Sequence, residues 1–131
     1  MTEKERAVQA LSERIANVRA RIRCGRRAMR SIATEDITLI AISKTHPAEL
    51  LREALNLGLT DLGENRVQEA EGKILEVGRQ AARWHLVGHL QSNKTKRAVQ
   101  LFDYIHSLDS VSWLSVWSGC AKRRGERNSR Y

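Results

Sequence analysis

The chain has little cysteine and no long apolar run. Two cysteines, Cys24 and Cys120, stand in 131 residues. So few cannot make a disulfide scaffold, and their separation does not match the spacing of a metal site. No stretch comes near the ~20 consecutive apolar residues of a membrane span. The N-terminus, MTEKERAVQALSERI, is charged from its third residue and lacks the apolar core of a secretory signal. No Gly-rich phosphate fingerprint of the Rossmann or P-loop type occurs. These absences predict a soluble, cytoplasmic protein with reduced thiols. The length suits one domain with a modest core.

What is abundant is positive charge, a formal net +8. Its distribution is uneven. Residues 1–35 carry nine basic and four acidic side chains, residues 36–110 nine and ten, and residues 111–131 five and one. The middle of the chain is therefore close to neutral. A nucleic-acid surface built by a fold would draw on central elements, so the charge argues only weakly for a small basic nucleic-acid-binding protein.

Apolar periodicity gives the organisation. Val8, Leu11, Ile15, Val18 and Ile22 recur at steps of three and four and predict a long amphipathic helix over 4–30. Its other face is rich in arginine (Arg14, Arg21, Arg23, Arg26, Arg27), and Gly25 is a candidate weak point. The run ITLIAI at 37–42 reads as a strand buried on both faces. After it, Pro47 suits the first turn of a helix that Gly58 stops. Further strands are predicted at 59–65, 84–89 and 102–109, with helices at 66–80 and 94–101 between them. Asn65 is a candidate N-cap of the first of these helices, and Ser92 or Asn93 of the second. Strand starts repeat roughly every twenty residues, which predicts parallel strands joined by helices.

Each predicted strand ends in polar residues, and in α/β proteins that edge carries chemistry. Lys44 follows the first strand directly. Partial desolvation there would lower its pKa and free its amine as a nucleophile toward an aldehyde. Asn65 ends the second strand. His85, next to Trp84 inside the third, reads as a satisfied buried histidine. His46, His89 and His106 lack partners at metal-ligand spacing.

Four segments in order and at matching spacing carry a resemblance: AISKTHP at 41–47, LGENRVQE at 62–69, WHLVGHLQSNK at 84–94 and HSLDS at 106–110. Over about residues 5–110 the chain resembles the pyridoxal phosphate (PLP) homeostasis proteins, relatives of the N-terminal barrel domain of alanine racemase. The resemblance implies an α/β fold, the N-terminal half of a TIM barrel in about four βα units, preceded by a long helix. It implies PLP held as a Schiff base on Lys44, with Asn65 lining the cofactor pocket, and a carrier or buffer in vitamin B6 balance rather than an enzyme. A complete barrel needs eight strands and roughly 250 residues. By the resemblance, the segments that hold the cofactor phosphate lie in the later half, absent here, so weak or absent PLP retention is expected.

The division implied is a partial PLP-binding barrel at 1–110 and an atypical basic tail at 111–131, VSWLSVWSGCAKRRGERNSRY. The tail is expected to be disordered and to arise from a shifted reading frame. Half a barrel also exposes strand edges, which predicts self-association. A remnant of an alanine-racemase-like enzyme is the remaining alternative. It lacks a candidate tyrosine base, because Tyr104 lies inside a strand and Tyr131 ends the tail.

Overall fold

The computed structural model describes residues 1–28 and 36–107. The predicted tail at 111–131, with Cys120 and Tyr131, and the end of the HSLDS segment lie outside the described residues. A long helix α1 (Glu3–Ala28) comes first. Three βα units and a fourth strand follow among the described residues, with strands β1 (Ile40–Ile42), β2 (Asp61–Glu64), β3 (Arg83–Leu86) and β4 (Tyr104–Ile105). Between them lie helices α2 (Ala48–Asn56), α3 (Val67–Val77) and α4 (Thr95–Leu101).

The four strands form one all-parallel sheet in the order β1-β2-β3-β4. This is the parallel arrangement expected from the repeat, and it has the four strands of the half-barrel that the resemblance implies. Neighbours in sequence are neighbours in the sheet, as short βα connections require.

Strand alternation divides the sheet into two faces. Leu62, Trp84 and Leu86 point to the helices, where they pack with Leu51, Val67, Ala70, Ile74, Ala98, Leu101 and Phe102. This helix-side layer is the core. On the other face a Cβ added to Gly63 would meet the side chains of Ile40, Ile42 and Val87. Ile42 is 45% exposed there.

The run at 37–42 was expected to be buried on both faces. The strand is shorter, Ile40–Ile42, and it is covered on one face only. The reason is position. β1 is an edge strand, and α1 and α2 cover only one of its sides, where Ala41 joins the core.

Helix α1 packs by Ile15 against Ala54 and Leu59 at the outer side of α2. Val18, assigned to the same stripe by spacing, is 39% exposed. A helix touching a core only at its flank buries a narrower stripe than its periodicity offers. Gly25 does not end this helix, which runs on to Ala28. Arg19 donates to the Gly58 carbonyl at 2.8 Å and so ties α1 to the α2 stop. Gly58 there has φ +90°, a conformation that glycine alone adopts freely.

Among the described residues, no helix is long and apolar enough to cross a membrane.

Candidate functional site

The C-terminal ends of β1, β2 and β3 lie side by side. Register pairs Ile42 with Gly63 and Glu64 with Leu86. The pairing runs past β1, since the Ser43 N–H donates to the Gly63 carbonyl at 2.9 Å. Lys44 and Asn65 therefore follow the ends of two neighbouring strands and share this edge of the sheet, from positions 21 residues apart.

Lys44 is exposed. It makes no hydrogen bond or ion pair among the described residues. The sequence expectation was a partly desolvated lysine, and the structure differs. A turn at Lys44-Thr45 swings the chain away from the sheet edge before α2 begins, and both neighbours of Lys44 are held on the α3 side.

Those holds are specific. The Ser43 hydroxyl donates to Glu64 Oε1 at 2.6 Å, and the Ser43 carbonyl accepts from Lys73 Nζ at 2.6 Å. Lys73 also donates to Glu64 Oε1 at 2.8 Å and to Glu69 Oε1 at 3.1 Å. Glu69 Oε1 in turn accepts the Thr45 N–H at 2.9 Å. The Thr45 N–H and then Lys73 hold the Glu69 carboxyl below the usual carboxylate range. Glu64 is fully buried and Lys73 nearly so. A buried carboxylate persists only when paired and hydrogen-bonded, which is what Lys73 and Ser43 supply. Sequence reasoning missed Ser43, Thr45, Glu64, Glu69 and Lys73 as a set. The one available signal was the i,i+4 pair Glu69–Lys73 on α3.

Asn65 is half-buried and does not cap α3. Arg66 occupies the cap position, and no side chain bonds the first turn. The cap expected from Ser92 or Asn93 is likewise not made. A short 3-10 turn (Ser92–Lys94) leads into α4, with Lys94 at the cap position and no side-chain bond. Thr95 instead donates from its hydroxyl to the Ser92 carbonyl at 3.0 Å.

What fixes Asn65 is the close approach of the β3 loop. A Cβ on Gly88 would overlap the Asn65 carbonyl oxygen and sit 2.8 Å from its Cα. Gly88→Ala is expected to cost about 3 kcal/mol, the upper end of ordinary overpacking, because the obstacle is backbone. Gly63→Ala meets the tips of Ile42 and Ile40 instead and is expected to cost about 1 kcal/mol. Urea denaturation of the two variants checks the order.

His85 is buried, as expected, and its partners are found only in the tertiary structure. Asp61 and Arg83 pair at 2.8 Å, His85 Nε2 lies 2.7 Å from Asp61 Oδ1, and His85 Nδ1 lies 3.0 Å from His106 Nε2. An ionised carboxylate only accepts, so His85 carries its proton on Nε2 and accepts at Nδ1 from His106. Tyr104 stacks on the ring at 4.6 Å.

Burial pushes the His85 pKa down, against the pull of Asp61. Asp61 is also lowered. Its burial alone would raise it, but hydrogen bonds from Thr60, His85 and Arg83 prevail. Both groups bind protons better in the unfolded chain. The His85 contribution is fully present above the unfolded value of about 6.5 and is lost as pH falls toward the lower folded value. Asp61 acts the same way in stronger acid. The melting temperature is therefore expected to drop between pH 7 and pH 5, by at most about 1.4 kcal/mol of stability per pH unit from His85. Asp103, Tyr104, His106 and Arg83 also act on this pair. His85→Gln is expected to flatten the drop, which calorimetry across that range would read.

A cleft of about 330 Å³ lies elsewhere, lined by Ile37, Leu39 and Leu59 as well as Arg19, Arg23 and Arg83, at the N-terminal ends of the strands. Lys44 and Asn65 belong to the opposite edge.

No family model matches the chain. Individual relatives do. A pyridoxal phosphate homeostasis protein of Pseudomonas aeruginosa is 45% identical over 105 residues, covering 79% of this chain and 45% of that protein. The protein of the same name from Escherichia coli K12 is 40% identical over 109 residues, covering 77% of this chain and 44% of that one. Among solved structures, PipY of Synechococcus elongatus PCC7942, with PLP bound, matches at 40% identity and a TM-score of 0.71. That match covers 88% of this chain and 50% of PipY. A protein from Bifidobacterium adolescentis matches at 27% identity and a TM-score of 0.78, covering 95% of this chain and 54% of that one. The relatives are named for PLP homeostasis, and the nucleic-acid reading finds no support among them. The chain spans about half the length of the curated relatives it matches. By sequence and by fold alike, it is homologous to about half of a pyridoxal phosphate homeostasis protein.

Proposed function

We propose that this chain is a cytoplasmic PLP-binding protein that captures the cofactor on Lys44, with weak retention, and holds it without turnover. The observation that carries the reading is the placement of Lys44. It stands at the C-terminal edge of a parallel sheet, exposed, at the same edge as Asn65, in a fold that matches PLP-bound PipY. The residues at this edge fit the aldehyde side of the group: an accessible amine, an amide side chain at the same edge, and a glycine that lets the β3 loop close on Asn65. When bound, PLP supplies an aldehyde that condenses with a neutral lysine amine, the carbonyl oxygen leaving as water with the two amine protons.

Lys44 provides the amine. Asn65, able both to donate and to accept, orients a polar ring substituent. Covalent capture requires only the lysine, whereas turnover requires positioned acid and base groups beside the reacting carbon. The paired histidines are poor candidates for that work. His85 faces Asp61 and His106 from a strand position before the edge, and His106, just past β4, is bonded to it. The open sheet face and the edges of β1 and β4 support self-association.

The test is incubation of the full chain with PLP, borohydride reduction and peptide mapping. The expected result is a reduction-stable mass increase on the peptide bearing Lys44. A protein that gains no such mass, or gains it at other lysines, overturns the reading.

A further inference from the structure

We propose that Glu69 and Lys73 are positioning residues for Lys44: together they hold the turn at Ser43–Thr45 in the one conformation that keeps the Lys44 amine at the strand edge. The inference rests on the PLP reading above, and its support is geometric.

Thr45 has φ +66°. That is the left-handed region, where a β-branched side chain is strained and which such residues enter only when held. Two holds are visible: the His46 N–H closes the turn on the Ser43 carbonyl at 3.2 Å, and the Thr45 N–H donates to Glu69 Oε1. Released, the residue would relax to an extended or right-handed conformation, and the chain direction after Lys44 would change. On the other side of Lys44, Ser43 is fixed through its N–H, hydroxyl and carbonyl.

The holds supplied by side chains converge on one ammonium. Lys73 Nζ touches the Ser43 carbonyl, Glu64 Oε1 and Glu69 Oε1. Three donors on one nitrogen match three acceptors, so the lysine is saturated and has none to spare for a ligand. Its effect on PLP must therefore pass through the turn. Strained backbone kept in place by surrounding structure next to a reactive side chain is a recognised means of pre-organisation. A shift of about 1 Å in such a group costs on the order of a hundredfold in rate.

Glu69 is the residue to change, because it lies at the rim of the network and its loss leaves the buried Glu64–Lys73 pair intact. The full-length chain and its Glu69→Ala and Glu69→Gln variants would be compared in two measurements. One is the rate of borohydride-trapped PLP incorporation at Lys44 as a function of pH. The other is hydrogen exchange at the Thr45 amide, which needs no PLP. Glu69→Ala is expected to load PLP at least about tenfold more slowly, with the Thr45 amide unprotected. Glu69→Gln, which still accepts that N–H, is expected to load and to protect like the wild type. Lys73→Arg and Lys73→Met add a second pair where they fold, with Arg the closer to wild type.

Equal loading by wild type and Glu69→Ala overturns the inference. So does slower loading with the Thr45 amide still protected, because the effect then bypasses the turn. A wild-type chain that does not load at Lys44 overturns the functional reading itself and this inference with it. The failures are thus distinguishable.

Discussion

Lys44→Ala is expected to abolish trapped PLP completely, with stability unchanged within about 0.5 kcal/mol. The two halves of that expectation have separate grounds. Loss of trapping follows from chemistry, because alanine has no amine to condense with an aldehyde. Unchanged stability follows from position. Lys44 is exposed and makes no bond among the described residues, and surface substitutions away from such features cost little. The combination is diagnostic. A variant that lost both PLP and its fold would say nothing about the lysine. Lys44→Arg sharpens the result, since it keeps the charge while its guanidinium stays protonated and cannot act as the nucleophile. It is expected to trap nothing either. Borohydride reduction followed by mass spectrometry reads trapping, and urea denaturation reads stability. Trapping that survives in both variants would move the site to another lysine.

Trp84→Ala is expected to destabilise the chain by about 3–5 kcal/mol, the range for truncating a large buried aromatic. Small domains have about 5–15 kcal/mol in all, so the loss is a large part of the total. Trp84 is fully buried at the centre of β3, among α2, α3 and α4 side chains. Its backbone is held at both its polar groups by one residue: its N–H donates to Asp103 Oδ2 at 2.8 Å, and its carbonyl accepts the Asp103 N–H. Asp103 is itself gripped by Arg79 through both oxygens. The cavity left by alanine therefore has rigid walls and collapses poorly, which puts the cost at the upper end. Trp84→Phe provides the contrast. The indole Nε1 is buried with no partner among the described residues, a state that costs about 1–3 kcal/mol for a polar group. Phenylalanine removes that donor while filling much of the volume, so its net cost is expected near 1 kcal/mol or below. Guanidinium denaturation midpoints of the three proteins would show the order.

Much of the fold was legible in the chain because its parts are local. Helix α2 shows it well. Pro47 precedes it, Leu51 and Ala54 recur on its inner side, and Gly58 stops it, all within a dozen residues. The βα repeat follows from such units, and repetition with short connections leaves a parallel sheet as the simple packing. The limits are equally particular. Val18 satisfies the helical period and is still exposed, because period identifies a stripe but not how much of it meets a partner. Asn65 and Ser92 have the chemistry of caps and do not cap. The cap positions fall one or two residues later, at Arg66 and Lys94, where turn geometry puts them.

The sequence by itself determined the repeating α/β architecture, the strand-end position of Lys44 and Asn65, and the likeness to the PLP homeostasis proteins. These depend on periodicity and on short motifs, which are properties of neighbouring residues. Only the tertiary structure decided which residues act on one another across the repeats. Parallel pairing of β1 and β2 set Lys44 and Asn65 at the same edge. Packing of α3 on the sheet brought Lys73 to Ser43 and Glu64, and Glu69 to the strained Thr45. Adjacent strands carried Asp61 to His85 and His85 to His106. Each of these partnerships spans from 9 to 30 residues of chain. The physical reason is burial. A carboxylate such as Glu64 costs too much to bury until a particular cation meets it, and that meeting exists only once the layers have closed.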